Sequence, residues 1–370
     1  MLIDIAQSRV SLTNQAALAE WNGVILGVLS HGQSAPVHLG KLLELAPEFA
    51  MGHALKGLSA LMLGRRELYA VAQQARQTAQ DALEAGGATR REQLWCAALQ
   101  DWLAGKPSHA IARMEEALCL NPADTISMKL SHGIRFILGD GIGMRQSVEA
   151  VMDAHGEDHA LRGYTLGCLA FAMDVTGSYD EAERLGLQGL EYASDDAWGL
   201  HAVTHVYDMT HRPSKGIALI DDNLDAWGHC NNFRFHVWWH KALLHLDRGE
   251  VDEVLALYDD KIRSEKTDDY RDFSNASSLL VRLELEGISI GNRWAELADL
   301  AESRTSDGCL TFAELHYMMA LVGDNRADAA TRLTARIAQD AQSDAEVSLV
   351  MRDPGVAVTQ GLAAFSDGRY

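Results

Sequence analysis

The stretch Gly177–Asp196, GSYDEAERLGLQGLEYASDD, decides the fold. Gly177, Tyr179, Ala182, Leu190 and Asp196 stand at tetratricopeptide spacing. The stretch Gly105–Asp124, GKPSHAIARMEEALCLNPAD, repeats that frame through Gly105, Ala110, Ala117, Leu118, Pro122 and Asp124. Ala110 and Ala182 are 72 residues apart, which leaves room for one more unit of about 36 between them. GIGMRQSVEAVMDAHGED (141–158) fills that space as a degenerate copy. Further copies read at 63–86, 247–262 and 323–342.

Each copy has a small residue where two helices of a hairpin would touch. None can bury its apolar side alone, so copies must stack. The expectation is all-α: tetratricopeptide-type helix-turn-helix repeats in one right-handed superhelix, about eight pairs, no sheet, and a single domain over residues 1–370. The polar stretch 264–277, SEKTDDYRDFSNAS, reads as a loop, with Asp272 capping a helix that begins near Ser274. The last repeat, GVAVTQGLAAFSDGRY, reads as a first helix without its second. That would leave an apolar face for a protein partner or self-association.

Composition agrees. The chain is 47% hydrophobic with six prolines, and Ala, Leu, Glu, Gln and Arg dominate it. A net charge of −20 argues against nucleic acid and anionic membranes. Five cysteines without CxxC spacing suit free thiols in a reducing compartment. GVILGVL (23–29) is too short to span a bilayer. With no signal peptide read at the N-terminus, a cytoplasmic protein is expected.

Chemistry concentrates between residues 197 and 245, which hold seven of the fifteen histidines. HAVTH places His201 and His205 one helical turn apart, and HVWWH does the same for His236 and His240. Asp208 continues the first row, while Trp198, Trp227, Trp238 and Trp239 lie nearby. Both pairs repeat at an offset of 35, close to one unit, so they should face one interior.

Four readings compete. A structural Trp-His-Asp network would satisfy buried polar groups. A small-molecule site could use His205 or His240 as acid or base, oriented by Asp208 or Asp272, with Arg293 holding an anion. Two HxxxH pairs could bind zinc or iron through His201, His205, His236 and His240, although HAVTH lacks the glutamate of a metalloprotease. A concave peptide groove is the fourth. Cys230 among histidines is more simply a small core residue, and a lone His132 a satisfied polar one. LGDGIGMRQ is no phosphate loop, so no nucleotide cofactor is expected.

The chain also resembles the tetratricopeptide repeat protein 38 family, or StaR-like proteins. The likeness runs through TRREQLWCAALQDWLAGKPSHAI (89–111), LAFAMDVTGSYDEAE (169–183), AWGLHAVTHVYDM (197–209), HVWWHKALLHLDRGE (236–250), SSLLVRLELEGISIGNRW (277–294) and FAELHYMMAL (312–321). It implies a helical repeat fold with a polar centre. The residues it marks are His205, Asp208, Trp239, His240, Arg282, Arg293, Trp294 and His316, and it favours Asp272 as a carboxylate in the pocket. The family usually has Glu where this chain has Asp208.

The resulting candidates are His205, His240, Asp208 and Asp272 for catalysis, and His201, His236, Trp238, Trp239, Arg282, Arg293 and His316 for binding, with no metal and no cofactor expected. The expected ligand is a small anionic or aromatic molecule, acted on by acid–base hydrolase or lyase chemistry. The competing expectation is a non-enzymatic scaffold.

Overall fold

A computed structural model describes residues 1–369, and Tyr370, expected at the final turn, lies outside them. The backbone forms two compact units, each described by itself: residues 1–62 with 70–244, and residues 63–69 with 245–370.

The first unit contains α1 (Gln15–Leu29), α2 (Ala35–Leu45), α3 (Ala50–Met62), most of α4 (Leu68–Ala85), α5 (Arg90–Leu103), α6 (Pro107–Leu120) and α7 (Thr125–Leu138). It continues with α8 (Gly141–Val151), α9 (Arg162–Val175), α10 (Tyr179–Tyr192), α11 (Ala197–Met209), α12 (Pro213–Asp222), the short α13 (Leu224–Trp227) and most of α14 (Phe233–Asp247). The second holds α15 (Val251–Leu257), α16 (Tyr270–Leu285), α17 (Arg293–Arg304), α18 (Thr311–Gly323), α19 (Ala327–Asp340), α20 (Glu346–Val350) and α21 (Val356–Ser366). The fold is an all-α helical-repeat solenoid. In each unit a helix packs on its sequence neighbour and on the helix two places away, as α9 does on α10 and α11, and α18 on α17 and α16.

Local chemistry sets the helix boundaries. Thr89 and Glu92 form a capping box at α5, and the side chains of Asp124, Asp140, Asp196 and Asp269 cap α7, α8, α11 and α16. Pro107 and Pro213 open α6 and α12, where a missing N–H costs nothing. The hairpin turns carry a left-handed residue: Gly105, Gly139, Gly177, His211, Gly249, Gly287 and Asn325. Successive turns are 34 or 38 residues apart, which is the repeat itself.

Four expectations change. The described helices run to α21, more than eight pairs supply. Leu2–Ile3 and Arg9–Val10 pair as a small antiparallel ribbon, so the chain is not wholly without sheet. The stretch 264–277 is a loop only at its start: α16 begins at Tyr270, capped by Asp269, because its polar face is buried through Ser274, Asn275, Ser277 and Ser278. Asp272 is therefore a buried first-turn residue, not a cap. In the second unit Leu349, Val358 and Phe365 are exposed apolar side chains.

The first unit has a dense core. Phe171, fully buried with Trp198, Ala202 and Val206, stabilises the site helices by about 1.5–3 kcal/mol relative to exposure. Helices α9 and α10 approach closely through glycine: a Cβ on Gly163 would stand 2.5 Å from Ala193 Cβ. The α1–α2 turn is not confined to its neighbours. Gly32 bridges to Cys230, Asn231 N–H donates to the His31 carbonyl at 2.8 Å, and the His31 ring stacks on Phe233 at 4.5 Å and Trp198 at 5.5 Å.

Candidate metal centre

Helix α11 carries His201 and His205 on one face, and α14 carries His236 and His240 on the face turned toward it. Their Nε2 atoms meet. His201 Nε2 is 2.9 Å from His236 Nε2 and 3.0 Å from His205 Nε2, and His240 Nε2 is 3.1 Å from His236 Nε2. The four nitrogens lie within 4.8 Å of one another. His201 and His240 are 3% exposed, whereas His205 and His236 are part-exposed, so the cluster meets solvent on one side.

Aromatic rings hold the imidazoles in place. Phe171 stacks on His201 at 5.4 Å and meets His205 edge-on at 5.7 Å. Trp239 stacks on His236 at 5.2 Å and abuts His240 at 4.8 Å. Phe233 packs against both His201 and His236. Behind them Trp198 Nε1 donates to His132 Nε2 at 3.2 Å, and Lys129 Nζ lies 4.6 Å from the Trp198 ring centre. His132 is thus only half satisfied, against expectation, because its Nδ1 is buried with no hydrogen-bond partner among the described residues.

The nitrogen contacts are hard to account for by hydrogen bonding alone. A ring nitrogen offers either one proton or one in-plane lone pair. In the chain 205–201–236–240, each of the two middle nitrogens must divide that single proton or lone pair between two neighbours. His201 Nδ1 is also buried with no hydrogen-bond partner among the described residues. Four lone pairs around one cation fit the same convergence without any sharing. Burial drives the His201 pKa well below its ordinary value, and His205, His240, His236 and His31 push it the same way. A neutral imidazole is the form a metal requires.

A second carboxylate enters that the sequence did not single out. Asp174, at the end of α9, points Oδ2 at His205 Nδ1 from 3.4 Å, with its own side chain 3% exposed. Asp208 is half-buried one turn beyond His205. A carboxylate behind the outer nitrogen of an imidazole fixes which nitrogen faces inward. The signal was available: Asp174 is the only charged residue in the run GYTLGCLAFAMDV.

The other candidates fall elsewhere. Trp238 turns to the opposite side of α14, edge-on to Trp227 at 4.9 Å. Asp272, Arg282, Arg293 and His316 belong to the second unit and have local partners there. Asp272 accepts from Thr267, and Arg282 donates to the Ser278 carbonyl at 2.9 Å. Arg293 directs its fork at Asp259, at 2.9 and 2.6 Å, instead of presenting it to a ligand. His316 Nδ1 lies 2.8 Å from the Phe312 carbonyl, and burial lowers its pKa.

Cys230 is buried, its thiol pushed up to about 12 chiefly by that burial, which suits a packed thiol and not a nucleophile. Two surface hollows run along His245 and 249–253, and along Ser194 and 221–226. Neither is lined by the four histidines.

No helix among the described residues is long and apolar enough to cross a membrane. No family model matches the chain. A solved structure described as Naa15/Naa10 bound to HypK-THB is similar over 96% of this chain and 64% of its own, at 13% identity and a TM-score of 0.29. The chain therefore spans less than two thirds of that one's length, and so distant a likeness says nothing about function.

Proposed function

We propose that this protein is a metal-binding helical-repeat protein in which His201, His205, His236 and His240 hold one first-row transition-metal ion. The observation that carries the reading is the meeting of four Nε2 atoms at 2.9–3.1 Å successive contacts in a largely buried setting. Four imidazoles suit zinc, copper, nickel or iron and offer nothing to calcium or magnesium, which want oxygen. The stacked repeats would serve as the rigid frame that brings two HxxxH rows together, with Asp174 as the outer support of His205. The resemblance to StaR-like proteins fits this reading, because its marked residues His205 and His240 belong to the set. A small anionic ligand, and hydrolase or lyase chemistry on it, would then act through the metal side of the site. His205 and His240 would be ligands in that scheme, not free acid and base.

The test is metal analysis of chelator-stripped and reloaded protein. One equivalent of tightly held metal is expected in the natural chain, with loss in both His201→Ala and His236→Ala while helicity is retained. Equal metal content in all three proteins would defeat the proposal. A natural chain that takes up no metal would leave the histidine–aromatic network as the interior of a protein-binding scaffold.

A further inference from the structure

Granted that the four imidazoles hold an ion, a fifth histidine, His31, bears on how they are aimed, an inference that rests on the proposed metal site. His31 comes from the turn between α1 and α2 and lies outside the group whose nitrogens converge. Its ring stacks on Phe233 at 4.5 Å and 26°, and on Trp198 at 5.5 Å and 18°. Those same two rings border the ligands. Trp198 lies 5.0 Å from His201, and Phe233 lies 5.3 Å from His201 and 5.6 Å from His236. His31 is therefore one ring removed from a ligand on α11 and from one on α14.

The two plates are not equally secure. Trp198 is 7% exposed and its Nε1 donates to His132 Nε2 at 3.2 Å, which pins it independently. Phe233 opens α14, is only half-buried and has no polar atom by which to be pinned. Its orientation depends on the rings packed against it, and among the described residues that of His31 is the nearest. Contacts of the turn fix where the His31 ring falls. Asn231 N–H donates to the His31 carbonyl at 2.8 Å, Gln33 Nε2 donates to the Cys230 carbonyl at 3.0 Å, and Cys230 Sγ donates to the Ser30 carbonyl at 3.4 Å. His31 also has a left-handed φ of +57°, a conformation that glycine adopts more readily. His211 shares that conformation in its own turn with its side chain exposed, so the backbone alone does not call for a ring turned inward. Outer support of ligating imidazoles sets metal affinity along with the ligands themselves.

We propose that His31 is a positioning residue of the metal centre: without touching the ion, its ring clamps Phe233 against His201 and His236 and so keeps both imidazoles aimed at the metal.

The experiment strips the full chain of metal and titrates it with zinc(II) against a fluorescent chelator, as the natural protein, His31→Gly and His31→Phe. Glycine removes the ring and suits the left-handed turn, whereas phenylalanine keeps a flat ring and removes the nitrogens. His31→Gly should bind zinc about 10- to 100-fold more weakly, and His31→Phe should bind it as the natural chain does. The visible spectrum of bound cobalt(II) should shift in His31→Gly and return to its natural form in His31→Phe. Undiminished zinc affinity in His31→Gly overturns the proposal, because the ring would then be idle. Equal loss in both variants overturns it as well, because His31 would then act through a nitrogen. A second measurement needs neither variant: zinc should slow amide exchange at residues 30–33 and 231–233 of the natural chain, since coupling between two sites is reciprocal. Unchanged exchange there also overturns the positioning role while leaving the metal reading standing. A natural chain that retains no zinc, copper, nickel or iron overturns the metal reading itself, and the role of His31 with it.

Discussion

Asp196 caps α11, the helix that presents His201 and His205, and it is 1% exposed. Burial raises its pKa from 3.8 to about 7. Lys129 and the backbone N–H groups of Gly199 and Trp198 pull the other way, and Asp195 adds to the rise. The native state therefore keeps this proton up to about pH 7, whereas the unfolded chain releases it near 3.8. Between those values the native state binds more protons, so stability falls as pH rises. The contribution is complete below the unfolded pKa and lost by the folded one. A shift of about three units corresponds to on the order of 4 kcal/mol.

Asp196→Asn keeps a capping oxygen and removes the titration. Urea midpoints for both proteins from pH 4 to pH 8, followed by tryptophan fluorescence, give the difference directly. The two should be of similar stability near pH 4. The variant should then gain on the natural chain through pH 7 by a few kcal/mol, and hold that lead above it. Parallel profiles across the range would refute the reasoning, because the carboxyl would then titrate alike in both states.

Gly163→Ala should destabilise by about 1–3 kcal/mol or more, because its Cβ would meet Ala193 Cβ at 2.5 Å and Ala193 N at 2.7 Å. Gly40→Ala, within α2 with nothing in reach of its Cβ, should instead stabilise by about 0.5–1 kcal/mol in chemical denaturation. Asp174→Asn should weaken metal affinity about 10- to 100-fold in chelator competition while leaving the circular dichroism unchanged. Metal at a hundred times its Kd should stabilise the natural chain by about 2.7 kcal/mol, read as a rise in Tm. That rise should vanish in His236→Ala.

Much of this was legible in the letters because helical periodicity and turn chemistry are local. Gly105 and Gly177 mark hairpin turns by a conformation other residues avoid, and HxxxH fixes a shared face whatever surrounds it. Where a side chain other than glycine takes the left-handed position, as His211 and Asn325 do, the same turn leaves no mark. The polar start of α16 misled for a related reason. Ser277 and Asn275 are read as solvent-seeking, yet they are buried, and only packing decides that. The approach of Asp174 was likewise a matter of tertiary contact. Asp208 shares a helix face with His205, whereas Asp174 reaches the ring from α9, 31 residues earlier, which no spacing in the chain announces.

The junction of His31 and Gly32 with residues 230–233 has a further consequence. Arrays whose parts touch only adjacent parts lose stability piecemeal, and can be shortened from either end with modest harm. Here the first turn latches onto the helix bearing His236, across roughly two hundred residues of chain, and closing so long a span carries an entropic toll paid once. Melting of this arc should therefore be concerted and not stepwise. A chain trimmed of its first forty-five residues should lose its hold on the ion, although every one of the four imidazoles would still be present.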